Sequence, residues 1–305
     1  MSWSKRVVNL VNIVLVSLFP LLVQAGPVNQ ATSNYPTLRD SYDNKLQQEL
    51  VGTLNRLGLS KAIGQKHLAV TLVDITDLHH PRVAAVNGDE MLYAASMPKI
   101  AILLGAFVEI QRGHMRLDDK TRNTLTEMVR YSSNEAATKM LRRVGKQKVL
   151  DILMSDRYKL YDPEYNGGLW VGKEYGPGQA YHRDPLHNLS HGATTMQTAR
   201  FYYMLETGQL VSPKLTAEMK AILSHPGIHH KFVKGLDARP GSRIFRKSGT
   251  WETWHADSAI VERDHHKYII VALAHDPHGG QWMVNLIRPV DSLIIPTRVA
   301  TADAR

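Results

Sequence analysis

Three short clusters of hydroxyl, amine and amide side chains have spacings that suit nucleophilic chemistry. The first is Ser96-Met97-Pro98-Lys99, at the start of a long apolar segment. If Ser96 opens a helix there, Lys99 falls one turn on, on the same face. Pro98 is tolerated because a first-turn N–H has no partner within the helix. A hydroxyl held beside an amine in a dry pocket is an activated nucleophile. A lysine drawn out of water gives up its proton more readily and can serve as the base. Taken alone, the same residues read more simply as a Ser N-cap with a surface lysine. The second cluster is Ser132-Ser133-Asn134. Its first hydroxyl can shuttle a proton and its amide can hold a substrate carbonyl, with a plain N-cap as the alternative. The third is Lys247-Ser248-Gly249-Thr250, at the end of a predicted strand. A strand edge offers backbone groups to an extended ligand. Lys247 adds positive charge and Gly249 permits close approach; a strand-end turn is the alternative.

The elements that must position these clusters follow from hydrophobic periodicity. Leu46, Leu50, Leu54 and Leu57 recur at helical spacing and predict a helix over Asp40–Leu57. Strands are predicted over His67–Asp74 and Arg82–Val86, the latter ended by the turn pair Asn87-Gly88. Ser96–Arg112 predicts a helix buried on nearly all sides, because Ile100–Val108 carries no charge. Further helices are predicted over Lys120–Tyr131, Asn134–Val144, Lys148–Ser155, Thr195–Thr207 and Ser212–Ser224. Asp156–Ser190 reads as loop. Three strands follow, over Ser242–Thr250, Ala256–Val261 and Tyr268–Ala274, and Gln281–Ile295 closes as a helix. The order predicts an α/β (α+β) fold. One antiparallel sheet, flanked by helices, is built from both chain ends, and an all-helical lobe is inserted between them. The expected lobes are about 40–92 with 225–305, and about 93–224.

As an ordered set, S-x-x-K, S-x-N and K-S-G-T resemble the motifs of the penicillin-recognising serine enzymes, and most closely the class A β-lactamases. Ala193-Thr194-Thr195-Met196 and the helix after it look like the family's segment following its active-site loop. The resemblance covers about Asp40–Pro296. It implies Ser96 as the acylated nucleophile and Lys99 as its proton partner. It implies that Ser132 relays a proton to the leaving nitrogen and that Asn134 holds the substrate's side-chain amide. Lys247, Ser248 and Thr250 would face the substrate carboxylate, beside Gly249. The backbone N–H groups of Ser96 and Thr250 would form the oxyanion hole. The family's deacylating Glu, four residues before an Asn, is matched only by Asp184 and Asn188, with Asp one methylene shorter. Asp184 is therefore expected as a catalytic residue and Asn188 as its binding companion, with a turn or salt bridge as the alternative. The loop after Asn188 and the span from Ser96 to Ser132 are both short against the pattern, and Ser133 stands where the family has Asp.

Composition and targeting narrow the setting. The chain has 305 residues, no Cys, 15 His and a formal charge of +9. Thiol nucleophiles, disulfide scaffolds and Cys-ligated metals are excluded. A hydrophobic fraction of 43% excludes disorder. Lys5 and Arg6, an apolar run over Val7–Val23 and small residues at Val23 and Ala25 form a signal peptide over residues 1–25; a retained anchor is the alternative. A loose leader is expected over 26–39 and a single catalytic domain over 40–305. The expected location is the periplasm or the exterior, after cleavage near Ala25. His79-His80, His229-His230, His265-His266 and the trio His182, His187 and His191 lack an H-E-x-x-H frame, so no metal or cofactor is expected. No basic stripe interleaves with aromatics, so nucleic acid is not an expected partner. The expected partner is a small β-lactam or peptidoglycan-like substrate with a carboxylate, met by a monomer without stable membrane insertion. The functions left open are β-lactam hydrolysis, a peptidase acting on a D-alanyl peptide or another amide or ester, and a sensor that acylates without turnover. His230-Lys231-Phe232 and Trp251–His255 are candidate cleft walls.

Overall fold

The computed structural model describes residues 35–296. The expected signal peptide and the first part of the leader lie outside the described residues. The leader's end does not: Leu38 is buried, and Arg39 makes a two-pronged ion pair with Asp89. The expectation of a loose segment up to residue 39 is corrected at that point.

Helix α1 (Asn44–Arg56) starts after Asp43, whose carboxylate accepts from Leu46 N at 2.7 Å. That cap sets the start four residues later than periodicity alone predicts. After the short α2 (Ser60–Gly64) come β1 (Leu68–Asp74), β2 (Arg82–Val86) and β3 (Leu92–Tyr93). The helical region holds α3 (Lys99–Gln111), α4 (Asp119–Arg130), α5 (Asn134–Val144) and α6 (Lys146–Met154). The stretch expected as loop contains three two-residue strands, β4 (Tyr161–Asp162), β5 (Gly167–Gly168) and β6 (Trp170–Val171), followed by β7 (His191–Ala193). Strands this short show no alternation, so pattern cannot find them. Then come α7 (Thr195–Glu206), α8 (Pro213–Leu223), the single-turn α9 (Phe232–Gly235), β8 (Arg243–Trp251), β9 (Trp254–Arg263), β10 (His266–His275) and α10 (Gly279–Ile294).

The main sheet runs β2-β1-β10-β9-β8, with every neighbouring pair antiparallel. It draws strands from both chain ends, as predicted. Successive β1 residues point to opposite faces, and both faces are covered. Leu68, Val70 and Leu72 join Leu46, Leu50 and Leu54 of α1 and Met283, Leu286 and Ile287 of α10. Ala69 and Val73 join the second core, with the helical region. Truncating one such leucine costs about 2–5 kcal/mol. Helix α3 is buried from Lys99 to Glu109, as its uncharged run predicts. Strand β8 is an edge strand, and its outer side is the sheet margin available to the site.

Candidate active site

Ser96 sits in a tight turn between β3 and α3. Met97 N donates to Ala94 O at 3.0 Å and Lys99 N to Ser96 O at 3.3 Å, so the helix proper begins at Lys99 and not at Ser96. Ala95, just before Ser96, holds φ +50, a conformation non-glycine residues adopt only where the surroundings impose it. Lys99 is fully buried, and its Nζ donates to Ser132 O at 2.6 Å and Asn134 Oδ1 at 2.8 Å, with Ser132 Oγ further off at 3.4 Å. Burial pushes this amine from its ordinary 10.5 down to about 7. A neutral amine has two N–H groups and one lone pair. The two short bonds occupy both N–H groups, which leaves the lone pair for a hydroxyl proton. Among the described residues, Ser96 Oγ has no hydrogen-bond partner and no carboxylate pairs with Lys99.

Ser132 and Asn134 arrive from the α4–α5 junction. Ser132 takes φ +59, and Ser133 caps α5 by accepting from Ala136 N at 3.1 Å. Asn134 is exposed, and with its oxygen engaged by Lys99 its amide N–H groups remain available. Across the cleft, Lys247 Nζ on β8 donates to Ser132 Oγ at 2.9 Å and to Ser248 O at 2.7 Å. Gly249 explains how β8 comes so close. A Cβ there would lie 2.3 Å from Ala94 O and 2.7 Å from Ser96 N, so only glycine lets the strand lie against the nucleophile turn. Thr250, next along, is exposed at the strand's end. Ser96, Lys99, Ser132, Asn134, Lys247, Ser248, Gly249 and Thr250 thus meet at one cleft.

The cleft is lined by buried amines. Lys231 is buried, and its Nζ donates to Gly249 O, to Thr250 Oγ1 at 2.8 Å and to Ala256 O at 3.1 Å. Burial lowers it to about 8. Lys247 is held well below its ordinary value, by burial first and then by Lys99 and Arg246. Arg246 is neutralised by Asp257 at 2.7 Å. Lys99, Lys231 and Lys247 have no carboxylate partner among the described residues. An anionic ligand bound beside these amines would favour their protonated forms and offset the cost of burying them. His230 completes the wall: its Nε2 lies 3.1 Å from Ser248 Oγ, and burial depresses it to about 4, so it is neutral.

Asp184 and Asn188 are not part of this constellation. The Asp184 carboxylate accepts from Tyr161 Oη at 2.8 Å and from the backbone N–H groups of Leu186, His187 and Leu189. Between them the two oxygens accept from Tyr161 and from the loop's own backbone, and among the described residues no hydrogen bond joins them to Ser96 or Lys99. The Asp184-Pro185 turn is the alternative reading that the geometry favours. Asn188 is an exposed, left-handed turn residue (φ +58) whose backbone N–H closes that loop on Asp184 O at 3.0 Å. Beside Lys99 stand two residues that the motifs did not reveal. The Tyr175 ring lies 4.5 Å from Lys99 Nζ and stacks on His191, with ring centroids 4.3 Å apart. His191 belongs to the trio weighed for metal binding, yet its Nε2 donates to Lys173 O at 3.0 Å. Among the described residues, no group of three or more His, Asp or Glu is arranged to hold a metal. Of the candidate walls, Trp251 is exposed and Trp254 stacks on His275 at 3.6 Å.

A five-stranded antiparallel sheet from both chain ends, with a helical region carrying the Ser96 turn, defines the class A β-lactamase-like fold. The chain belongs to the β-lactamase enzyme family, whose family model matches residues 59–124 and 120–295. Among solved structures, PBP-A is similar at a TM-score of 0.62 and 16% identity, over 85% of this chain and 98% of that one. A PBP-A variant, solved as an acyl-enzyme with penicillin G, is similar at 0.63 and 17%, over 85% and 98%. A β-lactamase from Sphaerobacter thermophilus is similar at 0.63 and 14%, over 80% and 96%. At these identities the likeness speaks for the fold. No curated protein matches the chain.

Proposed function

We propose that this chain is an exported serine hydrolase, working in the periplasm or outside the cell, that opens the β-lactam amide through an acyl-enzyme on Ser96. The observation that carries the reading is the chain of groups Lys99, Ser132 and Lys247, with the Lys99 lone pair left free. In this reading Ser96 Oγ attacks the carbonyl carbon and passes its proton to Lys99. The oxygen that gains charge is met by the N–H groups of Ser96 and Thr250, which act on the transition state more than on the substrate. The amide C–N bond breaks as Ser132 hands a proton to the nitrogen, and Lys99 re-protonates Ser132. The substrate carboxylate lies toward Lys247 and Thr250, where it meets the buried amines. Asn134 offers its amide N–H to the acyl side chain.

A second reading, acylation with little turnover, is favoured by one observation: the Asp184 carboxylate is bound up in its own loop. Mixing the purified protein with a chromogenic cephalosporin, followed by intact-mass measurement, separates the two. Many turnovers per enzyme support hydrolysis, and one equivalent of colour with a stable adduct supports the second reading. Ser96→Ala is expected to abolish adduct and colour alike; an adduct that persists in that variant overturns the Ser96 assignment.

A further inference from the structure

Tyr175 occupies a place that the site description leaves unexplained. Its side chain is buried, and burial drives its phenol well above the ordinary range, so it stays neutral. Its Oη reaches Ala95 O at 3.4 Å, one residue before Ser96. Its ring covers Lys99 Nζ at 4.5 Å. Its backbone is pinned to α5, where Thr138 Oγ1 donates to Tyr175 O at 3.0 Å. Behind it stands His191, itself buried, whose backbone O accepts from Ala94 N at 3.0 Å. Tyr175 also lines a surface groove of about 670 Å³, with Glu135, Thr138, Lys139 and Pro177. Tyr175 therefore borders that groove and also carries its ring to Lys99.

We propose that Tyr175 is a positioning residue that keeps Lys99 dry and so slows hydrolysis of the Ser96 acyl-enzyme. The inference rests on the Ser96 acylation reading. In deacylation a water oxygen must bond to the acyl carbon and pass its proton to a base. The ester bond to Ser96 Oγ then breaks, and Oγ recovers a proton. The groups facing Lys99 are Ser132 and Asn134 from the α4–α5 junction, Lys247 from β8, His191 from β7 and the Tyr175 ring. None is a carboxylate that could hold that water. The ring also excludes solvent from the amine, and burial is the cause of its fall to about 7.

The test uses the full mature protein and a fluorescent penicillin. Tyr175→Ala removes the ring, and its adduct is expected to decay at least ten-fold faster than the wild-type adduct. The rising limb of its acylation-rate profile is expected to move to higher pH, because a rehydrated Lys99 holds its proton longer. Tyr175→Phe keeps the ring and is expected to match wild type in both. A folded Ala variant whose adduct decays at the wild-type rate overturns the proposal, as does a Phe variant that decays like Ala. If the Ala variant lacks a cooperative melt, Tyr175→Leu is read in its place against the same ten-fold criterion. A wild-type protein that takes no adduct instead overturns the Ser96 reading and this inference with it, so the two failures are distinct.

Discussion

Replacing Lys99 by Met gives a prediction whose size follows from the burial of one amine. Met is close to Lys in volume and removes the ionisable group without opening a large void. In the folded protein Lys99 is lowered from 10.5 to about 7. Between those values the unfolded chain holds a proton that the folded chain does not. Stability then rises with pH across that window, is complete above the unfolded value and is lost as pH falls toward the folded one. One pKa unit is worth about 1.4 kcal/mol. Integrated from about pH 7 to about pH 9, Lys99 alone adds about 2 kcal/mol of stability. For a domain of this size that is a rise of about 4–8 °C in melting temperature. Lys231 and Lys247 are also depressed by burial and add slope of the same sign. Both remain in the variant, so their own slopes largely cancel in the difference between the two proteins. Lys247 even reinforces it, because Lys99 is among the cations that depress it. The assay is thermal unfolding of wild type and Lys99→Met at the two pH values, followed by circular dichroism. The wild-type gain should exceed the variant's by about 2 kcal/mol. Equal gains would refute a neutral, desolvated Lys99 and, with it, the argument for a free lone pair.

Two further predictions concern the frame of the site. Asp184→Asn removes an acceptor from a set of four donors and should lower stability by about 1–3 kcal/mol while leaving adduct lifetime unchanged. Adduct that accumulates in a variant of unchanged melting temperature would restore Asp184 as a water-positioning group. Gly249→Ala forces a Cβ against Ala94 O and Ser96 N, both backbone atoms that cannot swing aside. It should displace β8 from the nucleophile turn and slow acylation by about a hundred-fold, the scale of losing one oxyanion donor; acylation at the wild-type rate would show that this close approach has no role.

The sheet and the long helices were legible because their signals are local and repeated. Leu46, Leu50 and Leu54 announce α1, and the uncharged run after Lys99 announces a helix with no solvent face. The motif residues were legible because type and order are visible without geometry. Tyr175 was not. It lies in a Gly- and Pro-rich segment without periodicity, and its weight comes from contacts with Lys99 and Ala95, about eighty residues away. His191 carried a signal, a histidine among spaced histidines, but only packing shows it as the backing of a tyrosine. Asp184 is the opposite case. Spacing placed it correctly in a loop, and only the count of N–H donors around it reveals that the carboxylate serves that loop. Lys231 was flagged as a wall and proved to brace Gly249 and Thr250 from behind.

The sheet's connectivity also governs when this molecule can exist as a folded object. Strand β1 pairs with β10, joining Leu68 to Ala274 and Asp74 to Tyr268. Closing that pair means bringing together segments separated by roughly 200 residues, an entropic cost met only by the completed chain. Until β10 has been synthesised, one long side of β1 has no partner, and the two cores it divides stay open. Such topologies gain structure late and slowly. A nascent chain of this kind can complete its main sheet only at the end of its synthesis.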